Sequence, residues 1–128
     1  MADAKLITRT LFDVKRPEWL DSDMVRLKTA GVTLDAGAWR PDQTGLKIVP
    51  SGTPVGKNTQ TGLYVPADGT QVPAEYLTFV DVDLTDGNAE VACMDWGRVI
   101  AARLPVALND AIVRQLSGIT FVGYGTTS

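Results

Sequence analysis

Four acidic residues between positions 81 and 90 form the densest group of side chains in this sequence that could do chemistry: Asp81, Asp83, Asp86 and Glu90. Carboxylates so close together could bind a divalent cation or act as a general acid and base. The spacing does not match a calcium-binding loop, because two residues separate Asp83 from Asp86 and the glutamate comes too early. The Asp-Gly step at positions 86 and 87 is instead typical of a hairpin turn. The sequence therefore predicts a turn here, with no metal site and no cofactor.

The residue types that are missing exclude most catalytic chemistry. The chain has 128 residues, one cysteine and no histidine, so Ser-His and Cys-His nucleophilic pairs are excluded and a zinc site lacks ligands. Cys93 stands between Ala92 and Met94, a setting typical of a small buried strand residue rather than a reactive thiol. One cysteine cannot form an intrachain disulfide, which indicates synthesis in a reducing compartment. We predict that the protein is not an enzyme.

The overall composition is that of one soluble domain. Hydrophobic residues make up 45% of the chain and charged residues 21%, which suffices for a packed core at this length. The net charge of −3 argues against a basic footprint for nucleic acid. No apolar stretch approaches the ~18 residues of a membrane-spanning helix, and the first residues lack the pattern of a secretory signal. We therefore expect neither a nucleic-acid nor a membrane partner.

Short β-prone segments separated by glycine, proline and aspartate turns dominate the chain after position 24, at 25–27, 32–34, 46–49 and 62–65. Such a pattern is typical of a barrel, a sandwich or a compact β-loop domain. A stronger strand is predicted at 76–82, followed by a hairpin turn at 86–88, a returning strand at 89–94, and an interruption at Gly97 before the strand resumes at 98–102. We expect a mainly β (α+β) fold.

One helix is predicted near the C-terminal end. Pro105 can begin it, and Leu108, Ile112, Val113 and Leu116 follow at spacings that place them on one stripe. Gly118 stands where a left-handed residue commonly ends a helix. A closing strand is predicted at 119–122.

Residues 1–23 are predicted to form an N-terminal arm, and residues 24–128 the single β-rich domain. The arm alternates apolar and polar residues, is β-prone, and is stopped by Pro17; an ordinary first strand of the domain's own sheet is the alternative. Lys5, Arg9, Lys15 and Arg16, with Arg26 and Lys28, make this end locally basic. It is either a solvated tail or a surface complementary to an acidic partner.

Three tryptophans, Trp19, Trp39 and Trp96, are core candidates by default. Trp96, beside a predicted turn, and Trp19, in the predicted arm, are also candidates for interface anchors. Trp39, Tyr64 or Tyr76 could instead line the pocket of a small β-barrel module that binds a ligand or carbohydrate.

The order of these elements resembles the head decoration proteins of lambda-like tailed bacteriophages. The resemblance is carried by residues 77–83, 89–91, 97–99, Leu104-Pro105, the helix and residues 117–122, with the turn-rich stretch 48–56 upstream. It covers most of the chain but lies in pattern and order rather than in a short motif. It departs at residues 13–39, which are longer and more charged than the arm of a lambda-type protein.

The resemblance implies a compact β-barrel or β-tulip-like decoration domain with a short C-terminal helix and an extended N-terminal arm. It implies a structural virion protein, made in the host cytoplasm, that binds the outer surface of an expanded capsid as a homotrimer at local threefold sites. Its partners would be the major capsid protein and itself. On this basis Trp96 is expected at a trimer or capsid interface, and the expected capsid-binding residues are Leu6, Ile7, Arg9, Leu11, Phe12, Lys15, Arg16 and Trp19.

Overall fold

The computed structural model describes residues 17–22, 24–28 and 31–124, and it shows a mainly β chain with one short α-helix, as predicted. The strands are β1 (Arg26–Leu27), β2 (Val32–Leu34), β3 (Ile48–Val49), β4 (Pro54–Lys57), β5 (Tyr64–Pro66), β6 (Tyr76–Thr78), β7 (Val82–Asp83), β8 (Ala89–Val91), β9 (Cys93–Ile100) and β10 (Ile119–Val122). The helix α1 spans Asp110–Gln115, and short 3-10 turns occupy Ala36–Ala38 and Ala101–Arg103.

The main sheet is organised around β9, its longest strand. The strand order is β1-β9-β6-β4-β5-β2-β8, and β10 also pairs with β9. β6 lies antiparallel to the first residues of β9, whereas β10 lies parallel to its last four. β9, α1 and β10 thus form a strand–helix–strand unit, the connection that parallel neighbours require. Among the described strands, β1 and β8 end the path and do not pair with each other, so the sheet is open between them.

The strands predicted at 76–82 and 89–94 do pair antiparallel, at residues 77–78 with 93–94, but the pairing does not continue as a hairpin to the turn predicted at 86–88. β7 pairs with β3 in a separate two-stranded ribbon, and β8 pairs with β2. The partner of β6 is β9, through Leu77 with Met94 and Thr78 with Cys93. The buried Thr78 explains the departure: its hydroxyl donates to the carbonyl of Pro50 and accepts from the amide of Thr53. These bonds hold the end of β6 against the loop between β3 and β4, and β7 continues beside β3.

Two clusters of buried side chains cover opposite faces of the sheet, since neighbouring residues of β9 alternate between them. The helix-side cluster comprises Trp19, Leu20, Ala74, Leu77, Met94, Val99, Ile112, Leu116, Ile119 and Phe121. The β-side cluster comprises Val32, Leu34, Ala36, Val49, Val55, Leu84, Val91 and Cys93. The C-terminal elements therefore contribute to the helix-side cluster, and β2, β3, β4 and β8 contribute most of the β-side cluster.

The helix begins later than predicted. Asn109 caps it by accepting a hydrogen bond from the amide of Ile112 at 2.8 Å, so Leu108 lies before the helix rather than in it. Ile112 and Leu116 are buried as the stripe predicts. Gly118 has no positive φ, so the left-handed cap predicted there is wrong. A Cβ at Gly118 would come within 2.4 Å of the carbonyl oxygen of Asp95, which makes close approach to β9 the reason for glycine.

The described part of the predicted arm is attached to β9. The amide of Ile100 donates to the carbonyl of Trp19 at 2.7 Å, and that of Asp21 donates to the carbonyl of Arg98 at 3.0 Å. β1 continues the same antiparallel course along β9. Residues 19–21 and β1 therefore line one side of β9, while β6 and β10 lie along the other.

Candidate interaction surfaces

Three large apolar side chains are exposed where β1 meets β9. Trp96 is 45% exposed, Met24 71% and Leu27 41%. With Arg26 and Asp95 they form what we call the Trp96 surface. Single exposed apolar residues are common on proteins, but a tryptophan among other apolar residues at a sheet edge is typical of a contact site.

A change of strand register turns Trp96 outward. Arg26 is opposite Trp96 and Leu27 is opposite Met94, so Asp95 is an extra residue on β9, as in a β-bulge. Met94 and Val99 are five residues apart and yet pack into the same cluster, which regular alternation forbids. The interruption predicted near Gly97 is therefore a shift of register within a strand that continues to Ile100.

Two ion pairs join the N-terminal segment to β9 around this surface. Arg26 Nε lies 2.8 Å from Asp95 Oδ1, and Arg98 Nε lies 2.9 Å from Asp21 Oδ2. The hydrogen bond from Arg26 and the charge of Asp95 raise the pKa of the Arg26 guanidinium. Because all four side chains are partly exposed, the pairs orient the segment more than they stabilise the fold.

Trp19 lies in the core. Its side chain is 3% exposed, its ring packs edge to face on Phe79 at a centroid distance of 6.1 Å, and its indole nitrogen donates to Ser51 Oγ at 3.1 Å. The default interpretation of a tryptophan, as a core residue, describes this side chain, which is not exposed to a partner. The other expected capsid-binding residues, Leu6, Ile7, Arg9, Leu11, Phe12, Lys15 and Arg16, lie outside the described residues.

The ribbon of β3 and β7 carries a second exposed surface, whose exposure the sequence pattern does not predict. Leu46 is 43% exposed and Ile48 44%, and Pro50 continues the same row. Asp83 is the cross-strand partner of Ile48, and Asp81 accepts the amide of Ser51 at 2.7 Å. We call these five residues the ribbon surface. The signal in the sequence is the apolar residue at every second position, 46, 48 and 50, but both faces of such a strand look alike until Val49 is found buried.

The acidic side chains between positions 81 and 90 do not come together at one site. Asp83 accepts hydrogen bonds from the hydroxyl and from the amide of Thr85, and these two bonds lower the pKa of Asp83. Asp81 points instead to Ser51. Within the described ranges, no group of three or more His, Cys, Asp or Glu side chains is placed to hold a metal ion.

Trp39, Tyr64 and Tyr76, the aromatic residues considered for a ligand pocket, all pack half-buried against the β-side cluster. The rings of Tyr64 and Tyr76 lie 5.9 Å apart at 52°, and the Tyr64 hydroxyl donates to Glu75 Oε1 at 3.2 Å. Burial, together with the charge of Glu75, raises the pKa of Tyr64 to about 12.

Cys93 is fully buried, and its burial raises the pKa of the thiol to about 12 despite the opposing charge of Lys28. At pH 7 the folded protein should therefore contain roughly a thousandfold less thiolate than an ordinary cysteine. We expect a disulfide reagent such as DTNB to label the native protein only as fast as it unfolds, and to label it at once in guanidinium chloride. Rapid stoichiometric labelling of the folded protein would contradict the burial of Cys93.

No helix in the described part of the chain combines the length and the apolar character needed to cross a membrane. No family model matches the sequence, and no curated protein matches it either.

Proposed function

We propose that this protein is a structural virion protein that binds the outer surface of an expanded phage capsid as a homotrimer at local threefold sites and stabilises the head. The observation that carries the proposal is the exposure of Trp96 on β9, together with that of Met24 and Leu27 on or next to the neighbouring edge strand β1. The order of strands and helix, with its resemblance to the lambda-like decoration proteins, supplies the class of partner. The β-tulip-like description of the domain is part of this proposal.

The physical case rests on association rather than catalysis. Three copies around one axis engage several shell subunits at once, so that modest contacts are strengthened by effective concentration. A tryptophan on a paired strand needs no backbone ordering on binding, which suits an anchor residue. No catalysed reaction is part of the proposal.

Purified protein should add to expanded shells of its own phage in multiples of three and raise their melting temperature. Trp96→Ala should weaken this binding roughly tenfold or more, the loss expected for an interface tryptophan. Deletion of residues 1–16 should leave the domain folded and also weaken binding. Val106→Ala is the matched control, because Val106 is similarly exposed at 39% but lies outside the Trp96 surface.

Binding at micromolar concentration is the decisive measurement. If the wild-type protein does not bind expanded shells at that concentration, the proposal is wrong. If it binds and Trp96→Ala binds equally well, the Trp96 surface is not the interface, although the function stands.

A second candidate is a ligand- or carbohydrate-binding module on a larger assembly. The contact between the half-buried rings of Tyr64 and Tyr76, with Trp39 packed against the same cluster, favours it, since sugars commonly bind to aromatic side chains. A glycan screen distinguishes the two, because a decoration protein needs no sugar for shell binding.

A further inference from the structure

Aspartate is followed directly by glycine at two places in the chain, Asp68-Gly69 and Asp86-Gly87, and asparagine is nowhere followed by glycine. An aspartate side chain has the length at which its carboxyl carbon can close a five-membered ring with the amide nitrogen of the next residue. A glycine in that next position favours the ring, because it has no Cβ to obstruct the approach. The two pairs therefore share the same intrinsic chemistry, and their surroundings decide which of them reacts.

The Asp86-Gly87 pair lies in a turn between β7 and β8, with the Asp86 side chain exposed. The amide of Gly87 donates to the carbonyl of Leu84 at 3.2 Å, which closes the turn. No hydrogen bond or ion pair holds the carboxylate of Asp86 within the described part of the chain. Gly87 has a φ of 136°, and a Cβ built on it would meet no atom within 4 Å. The carboxylate can therefore turn toward the glycine amide, and the backbone around it has room to move.

The carboxylate of the other pair, Asp68-Gly69, is held by hydrogen bonds that Asp86 lacks. Asp68 Oδ1 accepts from the amide of Val72 at 3.0 Å and from that of Thr70 at 2.9 Å. These two bonds lower the pKa of the Asp68 carboxyl. The neutral acid is the form that loses water when the ring closes, and bonds to the ionised form make the neutral one scarcer. The Asp68 carboxyl is therefore both fixed in place and kept in its less reactive state.

The backbone of the same pair is fastened to α1 and its cap. Asn109 Nδ2 donates to the carbonyl of Asp68 at 3.0 Å, and Gln115 Nε2 donates to the carbonyl of Gly69 at 2.9 Å. A Cβ built on Gly69 would lie 3.0 Å from Cβ of Ala111, so this glycine is also closely packed. Ring closure requires the backbone to turn at these residues, which first costs a local opening of the loop.

We propose that Asp86 is a site of spontaneous isomerisation, at which the aspartate becomes isoaspartate in the folded protein, and that Asp68 is protected from it. In the first step the amide nitrogen of Gly87 attacks the carboxyl carbon of Asp86; the new C–N bond forms, and the carboxyl hydroxyl leaves with the amide proton as water. In the second step water opens the ring at the former main-chain carbonyl and breaks the bond from that carbon to nitrogen. The main chain then runs through the side-chain carbon, and the mass is unchanged.

The product lengthens the backbone between β7 and β8 by one methylene and turns a main-chain carbonyl into a carboxylate. Asn88 Oδ1, two residues beyond Asp86, accepts the amide of Ala36 at 2.8 Å, and β8 pairs with β2 from Ala89 onward. β7 is held by β3 on the other side of the turn. The extra atom must therefore be accommodated at Asn88 or within the turn, and we expect the amide signal of Ala36 to shift in isomerised protein.

Ageing of the full-length protein tests the proposal. Folded protein is kept for several weeks in warm, mildly acidic buffer and digested, and its peptides are fragmented by electron transfer, which distinguishes isoaspartate from aspartate at equal mass. We expect isoaspartate to accumulate at position 86 about tenfold or more faster than at position 68, since Asp68 must first give up two charge-assisted hydrogen bonds. In guanidinium chloride the two positions should react at similar rates, because their intrinsic chemistry is the same.

Two variants separate the chemistry from the surroundings. Asp86→Glu keeps the charge but has one methylene too many for the five-membered ring, so the product at position 86 should be lost. Gln115→Ala removes the bond to the carbonyl of Gly69 and the one accepted from the amide of Ala74. It should raise the rate at position 68 and leave that at position 86 unchanged. Circular dichroism of the aged samples checks that each variant is folded.

Two results would overturn the proposal. If the folded protein forms isoaspartate at neither position while both react in guanidinium chloride, the turn protects Asp86 as well. If the two positions react at equal rates in the folded protein, the contacts of Asp68 give no protection. Shell binding takes no part in this chemistry, so neither result bears on the proposed function.

Discussion

Trp19→Ala is expected to lower the free energy of unfolding by about 3–5 kcal/mol, as is usual when a fully packed aromatic side chain is removed from a core. Trp19 is 3% exposed, packs against Phe79, and donates its indole hydrogen to Ser51. The substitution leaves a cavity between the N-terminal segment and β9. Since domains of this size are stable by only about 5–15 kcal/mol, the variant should be close to unfolding at 37 °C.

Chemical denaturation of the two tryptophan variants measures this effect. Trp96→Ala removes the same side-chain type from a position that is 45% exposed, so its free energy of unfolding should change by about 1 kcal/mol or less. Because both variants replace a tryptophan by alanine, comparing them distinguishes a role in core packing from a role on the surface. Equal destabilisation by both substitutions would mean that Trp19 is not packed as described.

Gly118→Ala is expected to destabilise the domain by about 1–3 kcal/mol through overpacking. The added methyl carbon would lie 2.4 Å from the backbone oxygen of Asp95 and 3.4 Å from Trp96 Cδ1, so β10 and β9 must move apart. The neighbouring pairing of Ile119 with Gly97 would be strained as well. Thermal unfolding and the amide shifts of residues 95–97 report the two consequences together.

Gly37→Ala provides the control for that substitution. Its added carbon would meet only the side-chain oxygen of Asp35, at 3.3 Å, and Gly37 also lacks a positive φ. We expect little change, or a small gain from reduced freedom of the unfolded chain. If both glycine variants are equally stable, Gly118 does not lie as close to the backbone of Asp95 as described.

Local sequence patterns predicted many of the strands and the helix, but not which strands pair with each other. The closing strand and the Ile112–Leu116 stripe follow from apolar spacing, and both are confirmed. The predicted strands 76–82 and 89–94 pair only at residues 77–78 with 93–94, whereas β7 and β8 join other strands, because strand-prone residues do not specify their partners. The deciding contact is the buried hydroxyl of Thr78 against Pro50 and Thr53, residues about 25 positions away.

The candidate surfaces were predictable only in part. Trp19 and Trp96 are the same residue type, but Trp19 is buried and Trp96 is exposed. One is buried because residues 19–21 bond to β9 at Ile100 and Arg98, whereas the other is exposed by the register shift at Asp95. Neither the bonding of residues 19–21 to β9 nor the register shift at Asp95 can be predicted from the residues next to each tryptophan. Leu46 and Ile48 were missed for the same reason, since an alternating segment does not tell which side the core will take.

The central position of β9 has a consequence for the protein as it is being made. Its backbone is flanked by residues 19–21 and β1 on one side and by β6 and β10 on the other, so its partners are separated in the sequence by as much as positions 19 and 122. A ribosome must release residues 119–122 before they can reach that strand. Until then Val99 and Met94 lack the cover of Ile119 and Phe121. The domain is therefore expected to complete this core only after residues 119–122 have left the ribosome, and a nascent chain halted before position 119 should remain sensitive to protease.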